Sequence, residues 1–346
     1  MKKQVVILCV WLVGMAMPVF AAGKQPVLNL MTHDSFSVSQ ALLDTFQAKH
    51  GVTLKIIKGG DAGVALNQAI LSKANPMADV FFGVDNTFMS RALKADIFEP
   101  YSSPLLDKIP VALQLDPGHR LLPVDFGDVC LNYDKNWFKK RNLAPPRDLA
   151  DLIKPSFRGL TVVENPATSS PGLAFLLSTI GRFGPEGYLE FWKKLRENDL
   201  YMSKGWSDAY YGQFSRARGG TRPIVVSYAS SPSAEVHYSE TKLNDTPTAA
   251  VLADGYAFRQ IEFVGILKGT TQPEIARRFV DFMLGAAFQQ DIPLHMWVFP
   301  ADPTVPLPQV FEKYTSKAVN PVVLSPEAIE KGREAWINDW TEVVLR

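Results

Sequence analysis

The chain has 346 residues, and its 36 lysines and arginines nearly balance its 35 aspartates and glutamates. Because the basic residues form no run, this composition gives no footprint for nucleic acid and excludes a nucleic-acid-binding protein. The length exceeds what a single hydrophobic core usually spans, so we expect two lobes.

Residues 1–21 have the pattern of a cleaved secretory signal peptide. Lys2 and Lys3 precede an uncharged run over residues 4–20, and small residues stand where a signal peptidase cleaves. The run is shorter than the ~20 residues that a membrane-spanning helix needs. We therefore expect residues 1–21 to be removed and the mature protein to work outside the cytoplasm.

Strands and helices alternate along the first third of the chain. The hydrophobic pattern predicts strands at residues 27–32, 52–57 and 78–84, with helices over 38–50 and 65–71 between them. Ser37 or Ser39 can cap the first helix, and Gly51 ends it. This alternation predicts a parallel sheet covered on both faces.

Polar or glycine-rich loops follow each of these three strands, at residues 33–35, 59–63 and 85–86. In parallel sheets, ligands bind beyond the carboxyl ends of the strands. The loops that contain His33, Asp34 and Asp85 are therefore predicted to form a binding face.

Two long extended runs, residues 122–132 and 260–267, enclose a second alternation of strands and helices. The enclosed strands are predicted at 161–163 and 224–228, and the helices at 173–180 and 187–195. This order predicts one lobe inserted into another through a two-strand hinge. We assign residues 27–124 and 260–346 to lobe 1 and residues 125–259 to lobe 2.

Two further helices are predicted near the C-terminus. The first covers residues 273–284, with Pro273 near its start and Gly285 at its end. The second begins after Ser325. We expect its apolar side to pack against the core rather than to contact a ligand; that side carries Ile329, Trp336, Ile337, Trp340 and Val344.

The stretch over residues 161–177 combines a strand end with a helix start. Ser170 is a natural N-cap, and Pro171 fits the first helical position. Hydroxyls and free backbone N–H groups at a helix start suit an anionic or strongly polar group. A capped helix without a ligand is the alternative reading of the same residues.

Three segments place aromatic side chains at predicted loop positions, namely residues 204–211, 227–232 and 296–300. They carry Trp206, Tyr210, Tyr228 and Trp297 beside glycines, hydroxyls and acids. Such rings suit stacking and cation–π contact with a flat or cationic ligand. Ordinary packing is possible for each segment alone, but together they predict a ligand-binding cleft.

Short signatures of enzymes are absent from the sequence. It contains no G-x-S-x-G, P-loop, G-x-G-x-x-G, H-E-x-x-H or C-x-x-C motif. The five histidines are scattered without the spacing of a metal site. We therefore predict neither catalytic nor metal-binding residues, although a site assembled from distant residues stays open.

Several short motifs occur in one order along the chain: THDSF (32–36), FGVDN (82–86), PVDFG (123–127), LNYDK (131–135), ATSSPGL (167–173), KGWSDAY (204–210), SYASSP (227–232) and IPLHMWVFP (292–300). With them the chain resembles the substrate-binding component of thiamine ABC transporters, in the type II periplasmic binding protein superfamily. The resemblance implies a two-lobed α/β fold, each lobe a mixed, mostly parallel sheet flanked by helices. It also implies closure on thiamine or on its mono- or diphosphate, with no further cofactor.

The resemblance implies ligand contacts at Gly63, Ser169, Ser170, Trp206, Tyr228, Ala229, Ser230, Ser231 and Trp297. To these we add His33, Asp34, Asp85 and Tyr210, from the loop and aromatic segments. The resemblance places phosphates at the helix start of residues 169–170 and the aromatic side chains around the ligand's rings. The chain departs from the family by having His33 for a tyrosine, Asp61-Ala62 for an acidic pair, and Ala234 at a position that can be tyrosine.

The resemblance also implies a periplasmic, monomeric carrier that delivers its ligand to an inner-membrane ABC permease with a cytoplasmic ATPase. Two alternatives remain open at this stage. A ferric-ion-binding protein of the same fold would use adjacent tyrosines such as Tyr210 and Tyr211. A secreted thiamine-degrading enzyme would need a nucleophile such as Cys130, the single cysteine after the signal, which we interpret as a small buried apolar residue.

Overall fold

The computed structural model describes residues 25–346, so the predicted signal segment lies outside the described residues. The described strands are β1 (Val27–Thr32), β2 (Thr53–Lys58), β3 (Val80–Asp85), β4 (Phe98–Glu99), β5 (Leu122–Asp134), β6 (Thr161–Glu164), β7 (Tyr201–Ser203), β8 (Ile224–Tyr228), β9 (Thr248–Val251), β10 (Phe258–Leu267) and β11 (Phe299–Pro300). The described helices are α1 (Gln40–His50), α2 (Ala62–Leu71), α3 (Met89–Lys94), α4 (Lys135–Lys140), α5 (Ser170–Glu197), α6 (Trp206–Asp208), α7 (Ser231–His237), α8 (Pro273–Leu284), α9 (Ala286–His295), α10 (Gln309–Tyr314) and α11 (Pro326–Val344). Single turns of 3₁₀ helix occur between β4 and β5 and between α4 and β6, and a π-helical turn follows α6.

One continuous sheet runs through the molecule in the order β2-β1-β3-β10-β5-β8-β6-β7. At one end β1 pairs in parallel with β2 and β3, and at the other end β6 pairs in parallel with β7 and β8. The long strands β10 and β5 lie between these ends and pair antiparallel with each other and with their other neighbours. The predicted two-lobed α/β fold with two crossing strands is confirmed, whereas the exact lobe boundaries stay a prediction.

Most predicted elements agree with the structure within a few residues, and the differences have local causes. Gly51 ends α1 in the left-handed region, with φ 59°, as its position predicts. Helix α2 begins three residues before the predicted start because Asp61 caps it. The two helices predicted over 173–195 are both present within α5, separated by a break at Gly184, where φ is 73°.

The two largest hydrophobic clusters fill the space beside the sheet. The first lies between β1, β10, α1, α8 and α9 and includes Phe46 and Phe279. The second joins both ends of the sheet, because α11 packs on α3 and also on α5. Within the described residues, no helix combines the length and the apolar character that crossing a bilayer requires.

The contact between α11 and α5 centres on Trp340 and Trp192, which are fully buried with ring planes at 89° and centroids 5.6 Å apart. We expect Trp340→Ala to lower the free energy of unfolding by about 3–5 kcal/mol, because it leaves a large cavity. Trp336 lies on the half-buried side of the same helix. Trp336→Ala should therefore lower the free energy of unfolding by less than about 2 kcal/mol. Urea unfolding followed by circular dichroism measures both, and equal losses would contradict this assignment.

Candidate functional site

A cleft of about 930 Å³ lies between the two ends of the sheet. This volume is typical of small-molecule sites. The predicted site residues that line the cleft are His33, Asp34, Ser170, Trp206, Tyr210, Tyr228, Ser230, Ser231 and Trp297. The predicted residues that do not line it are Gly63, Asp85, Ser169 and Ala229. A direct ligand contact stays a prediction for each of these residues.

The wall that α6 and β8 form is held rigid by Trp206. Its ring stacks on Tyr210, with centroids 5.1 Å apart and ring planes at 20°. Its Nε1 donates a hydrogen bond to Ser227 Oγ at 2.9 Å. Tyr228 meets the indole at 64°, and its hydroxyl donates to Gln260 Oε1 at 3.1 Å. The cleft therefore presents a fixed aromatic surface, built on a short helix where the sequence predicted a loop.

On the opposite wall, Trp297 follows α9 in the left-handed region, with φ 57°. This conformation is uncommon for a bulky residue and needs support from its surroundings. The hydroxyl of Ser230 donates to the Trp297 carbonyl oxygen, and Trp297 Nε1 donates to the Tyr238 hydroxyl at 3.3 Å. Both bonds join the segment after α9 to α7, so Trp297 is fixed from across the cleft.

The start of α5 differs from the prediction in two ways. Ser169, and not Ser170, is the N-cap, because its extended backbone lets its Oγ accept a bond from the Gly172 N–H at 3.4 Å. Pro171 is consequently the second helical residue. The Ser170 N–H, which was predicted to be free for an anion, donates to Asp61 Oδ1 at 3.1 Å, and the Ser170 hydroxyl donates to Asp85.

Asp61 connects three helix starts, although it is absent from the predicted site residues. Its Oδ1 accepts from the Ala62 N–H at 2.7 Å as well as from Ser170, and its Oδ2 accepts from the Trp206 N–H at 3.0 Å. Burial raises the pKa of Asp61, while these N–H donors oppose the rise. An aspartate placed directly before an apolar helical stretch was the signal for this role.

The predicted residues outside the cleft lining support its walls. A Cβ atom at Gly63 would lie 2.7 Å from the Thr168 carbonyl oxygen, so glycine lets α2 approach the loop before α5. Burial raises the pKa of Asp85 to about 6, and its carboxylate holds Ser170 and the backbone N–H of Thr87 and Phe88. Ala229 donates its N–H to the Asp128 carbonyl oxygen at 2.9 Å.

The buried side of the cleft carries an ion pair and a further acid. His33 Nε2 lies 3.3 Å from Glu262 Oε1. Gly83 has φ 105°, and a Cβ there would lie 2.4 Å from the imidazole, so only glycine admits the ring. Asp125 stands opposite Glu262 in the register of β5 and β10. Its carboxyl oxygens have no hydrogen-bond donor among the residues that the structure describes.

The charges of this group follow from its burial. Burial lowers the pKa of His33, but the carboxylates of Glu262, Asp61 and Asp34 together outweigh that effect, so the pKa is raised. Burial and the same carboxylate raise the pKa of Asp125 well above its usual range. For Glu262, burial favours the neutral acid, but His33 prevails and lowers the pKa. These shifts favour an imidazolium–carboxylate pair between His33 and Glu262 and favour the neutral form of Asp125.

Ferric-ion binding would depend on Tyr210, and thiamine degradation would depend on Cys130. The surroundings of both residues disfavour that chemistry. Tyr210 donates its hydroxyl to Glu235 Oε1 at 2.9 Å, and burial together with this carboxylate raises the phenol pKa well above 10.0, which opposes the phenolate that iron requires. Cys130 is fully buried in β5 and does not line the cleft, and burial raises the pKa of its thiol. Among the described residues, no cluster of histidine, cysteine and acidic side chains is arranged to hold a metal ion.

Comparison with known proteins gives matches along nearly the whole chain. A family model described as bacterial extracellular solute-binding protein matches residues 75–323. The thiamine-binding periplasmic protein of Escherichia coli (strain K12) is 33% identical over 95% of this chain and 96% of that protein. The protein of the same name from Haemophilus influenzae is 27% identical over 94% of each chain.

Solved structures agree with these matches. A structure described as a periplasmic thiamin binding protein has a TM-score of 0.82 and 30% identity, covering 93% of this chain and 97% of that one. Iron-bound HitA from Pseudomonas aeruginosa has a TM-score of 0.75 but only 18% identity, over 92% of this chain and 99% of that one. The second similarity shows a shared fold alone.

The ion pair predicts how stability depends on pH. Because the folded pKa of His33 is raised, its stabilising effect is complete below its unfolded pKa of about 6.5 and is lost as pH rises through the folded value. Removing one member of a buried ion pair lowers the free energy of unfolding by about 3–5 kcal/mol. His33→Gln should therefore lower Tm more at about pH 5.5 than at about pH 9. Thermal unfolding at both pH values measures this, and a Tm loss independent of pH would contradict a charged His33.

Proposed function

Because this chain belongs to the bacterial extracellular solute-binding protein family, we propose that it captures thiamine in its cleft and delivers it to an ABC transporter. Solute binding for transport is the role of the family, and the relatives with the highest identity given above are named for thiamine. Within this role the protein makes and breaks no bond. It works as a monomer in the periplasm and docks on an inner-membrane permease with a cytoplasmic ATPase.

The charge and shape of the cleft support thiamine as the ligand. Flat aromatic side chains from both walls, Trp206, Tyr228 and Trp297, line the cleft. The acids that line it are Asp34, Asp61, Glu235, Glu240 and Glu262, against the bases Lys58, Arg216 and two histidines. Thiamine joins a flat aminopyrimidine to a cationic thiazolium. Aromatic faces attract such a molecule through stacking and cation–π contact. The excess of carboxylates attracts its positive charge through the electrostatic field of the cleft.

The mechanism that we propose is closure of the two walls on the ligand. Polar contacts already join the walls: the Ser207 hydroxyl donates to Asp34 Oδ2 at 3.1 Å, and the Trp206 N–H donates to Asp61. A ligand that touches both walls stabilises the closed arrangement by its higher affinity for that state. Strands β5 and β10 connect the walls and would bend when they separate.

Titration calorimetry with thiamine tests this proposal and the role of Trp206. We expect wild-type protein to bind thiamine and Trp206→Ala to lose about 1–3 kcal/mol of binding, as other stacking truncations do. Trp137→Ala is the matched control, because Trp137 lies on α4 beside Arg141, outside the cleft lining. A folded Trp206→Ala protein with unchanged affinity would remove this residue from the site.

The same protein preparations also distinguish the proposed function from its alternatives. Absence of thiamine binding by wild-type protein would refute the proposal. Release of free pyrimidine and thiazole during incubation with thiamine would indicate an enzyme instead. A visible absorption band on adding ferric ion, from tyrosinate coordination, would favour the iron carrier.

A further inference from the structure

We propose that Tyr211 and Tyr238 form an outer aromatic pair, which covers the bound solute at the mouth of the cleft and slows its release. The proposal rests on thiamine binding, the function proposed above, and adds two residues to the ligand contacts predicted from the sequence. Three observations carry it: the exposure of the two rings, the tryptophan that each ring contacts, and the bonds that the Tyr238 hydroxyl makes across the cleft lining.

Exposed aromatic rings distinguish the mouth of the cleft from the rest of the surface. Tyr211 is 66% exposed and Tyr238 is 64% exposed. Of the large hydrophobic side chains that are exposed within residues 25–346, these two are the aromatic ones, and they are the two that line the cleft. A hydrated tyrosine ring is stabilised when a flat or cationic molecule covers it. Both rings therefore lie where a solute in the cleft can cover them.

Tyr211 extends the aromatic surface of Trp206 toward the solvent. The π-helical turn over Ala209–Gln213 carries two successive tyrosines, of which Tyr210 is buried and Tyr211 is exposed. Turns of this kind occur frequently at functional sites. The Tyr211 ring meets Trp206 at 81° with centroids 5.3 Å apart, and it meets Tyr210 at 81° with centroids 5.5 Å apart. These edge-to-face contacts position Tyr211 outside the Trp206–Tyr210 stack without burying it.

Tyr238 has the corresponding position beside Trp297. It follows α7 directly, and its ring meets Trp297 at 68° with centroids 5.6 Å apart. The Tyr238 hydroxyl accepts a hydrogen bond from Trp297 Nε1 and donates one to the Leu294 carbonyl oxygen, each at 3.3 Å. Tyr238 thus joins α7 to the end of α9 and to the segment after it.

The two tyrosines lie close to each other. Partial burial raises the pKa of the Tyr211 phenol, and the Tyr238 phenol and the Glu235 carboxylate add to the rise. Electrostatic effects between such groups fade beyond about 10 Å, so Tyr238 and Tyr211 occupy neighbouring parts of the mouth. A solute that reaches the two tryptophans would meet both tyrosines at its outer end.

The outer aromatic pair is expected to act on release more than on capture. A bound solute has to lose its contacts with both rings before it leaves. Separation of α7 from the end of α9 also breaks the two bonds of the Tyr238 hydroxyl. Such contacts act mainly on the dissociation rate, because most affinity differences among variants of one binding site arise there.

Stopped-flow tryptophan fluorescence with thiamine measures the association and dissociation rates, and titration calorimetry measures Kd independently. Tyr211→Ala and Tyr238→Ala should each raise the dissociation rate at least about fivefold, as the loss of a stacked ring does. The association rate should change less than about threefold. Tyr238→Phe keeps the ring and removes only the hydroxyl bonds, so its dissociation rate should rise less than that of Tyr238→Ala.

Tyr314→Ala is the matched control, because Tyr314 ends α10 outside the cleft lining. Its dissociation rate should stay within about twofold of the wild-type rate. Since Tyr211 and Tyr238 are exposed, their truncation should change Tm by less than about 3 °C. If Tyr238→Ala does not fold, Tyr238→Leu replaces it, because leucine keeps apolar packing and removes the aromatic ring.

Each outcome supports or overturns the proposal. Folded alanine variants of both tyrosines that release thiamine within about twofold of the wild-type rate overturn it. A faster release in only one of the two variants also overturns it, because the outer aromatic pair requires both rings. Slower association with unchanged release would indicate an entry gate instead of a cover. Failure of wild-type protein to bind thiamine would refute the proposed function and this proposal with it.

Discussion

The antiparallel pairing of β5 with β10 is the constraint on which both the sheet and the cleft depend. The two strands occupy the middle of the sheet, with β3 beside β10 and β8 beside β5, and their register sets Asp125 beside Glu262 on the buried side of the cleft. Parallel strands on either side direct their carboxyl-terminal loops toward the gap between the two ends. The position of the cleft therefore follows from the topology before any ligand-binding residue is considered.

Burying carboxyl groups costs the most free energy of any feature in this site, and each of these groups is stabilised differently. Asp61 accepts three backbone N–H bonds, Glu262 lies 3.3 Å from the His33 imidazole, and burial beside Glu262 raises the pKa of Asp125, which favours its neutral form. Burying a carboxylate without such partners is strongly unfavourable. Their joint presence at a ligand cleft is consistent with tuning of the cleft potential for a cation rather than with stability alone.

The fold was largely predictable because hydrophobic periodicity and two long apolar strands determine it. The aromatic lining was predictable from Trp206 and Trp297 near glycine and proline. Asp61 and Glu262 were missed as site residues because their partners, Trp206 and His33, are far away in sequence, and no local pattern encodes such pairs. A lone acid in the apolar strand over residues 260–267 was the available signal. The capping serine at α5 was misassigned by one residue because Ser169 and Ser170 both satisfy the cap preference.

Helix α11 gives the molecule a third connection between its two ends. It packs on α3 at one end of the sheet and, through Trp340, on α5 at the other. With only β5 and β10 as tethers, the two ends could twist as well as open. A helix packed on both ends opposes their twisting relative to each other, so we expect the walls to separate least beside α11.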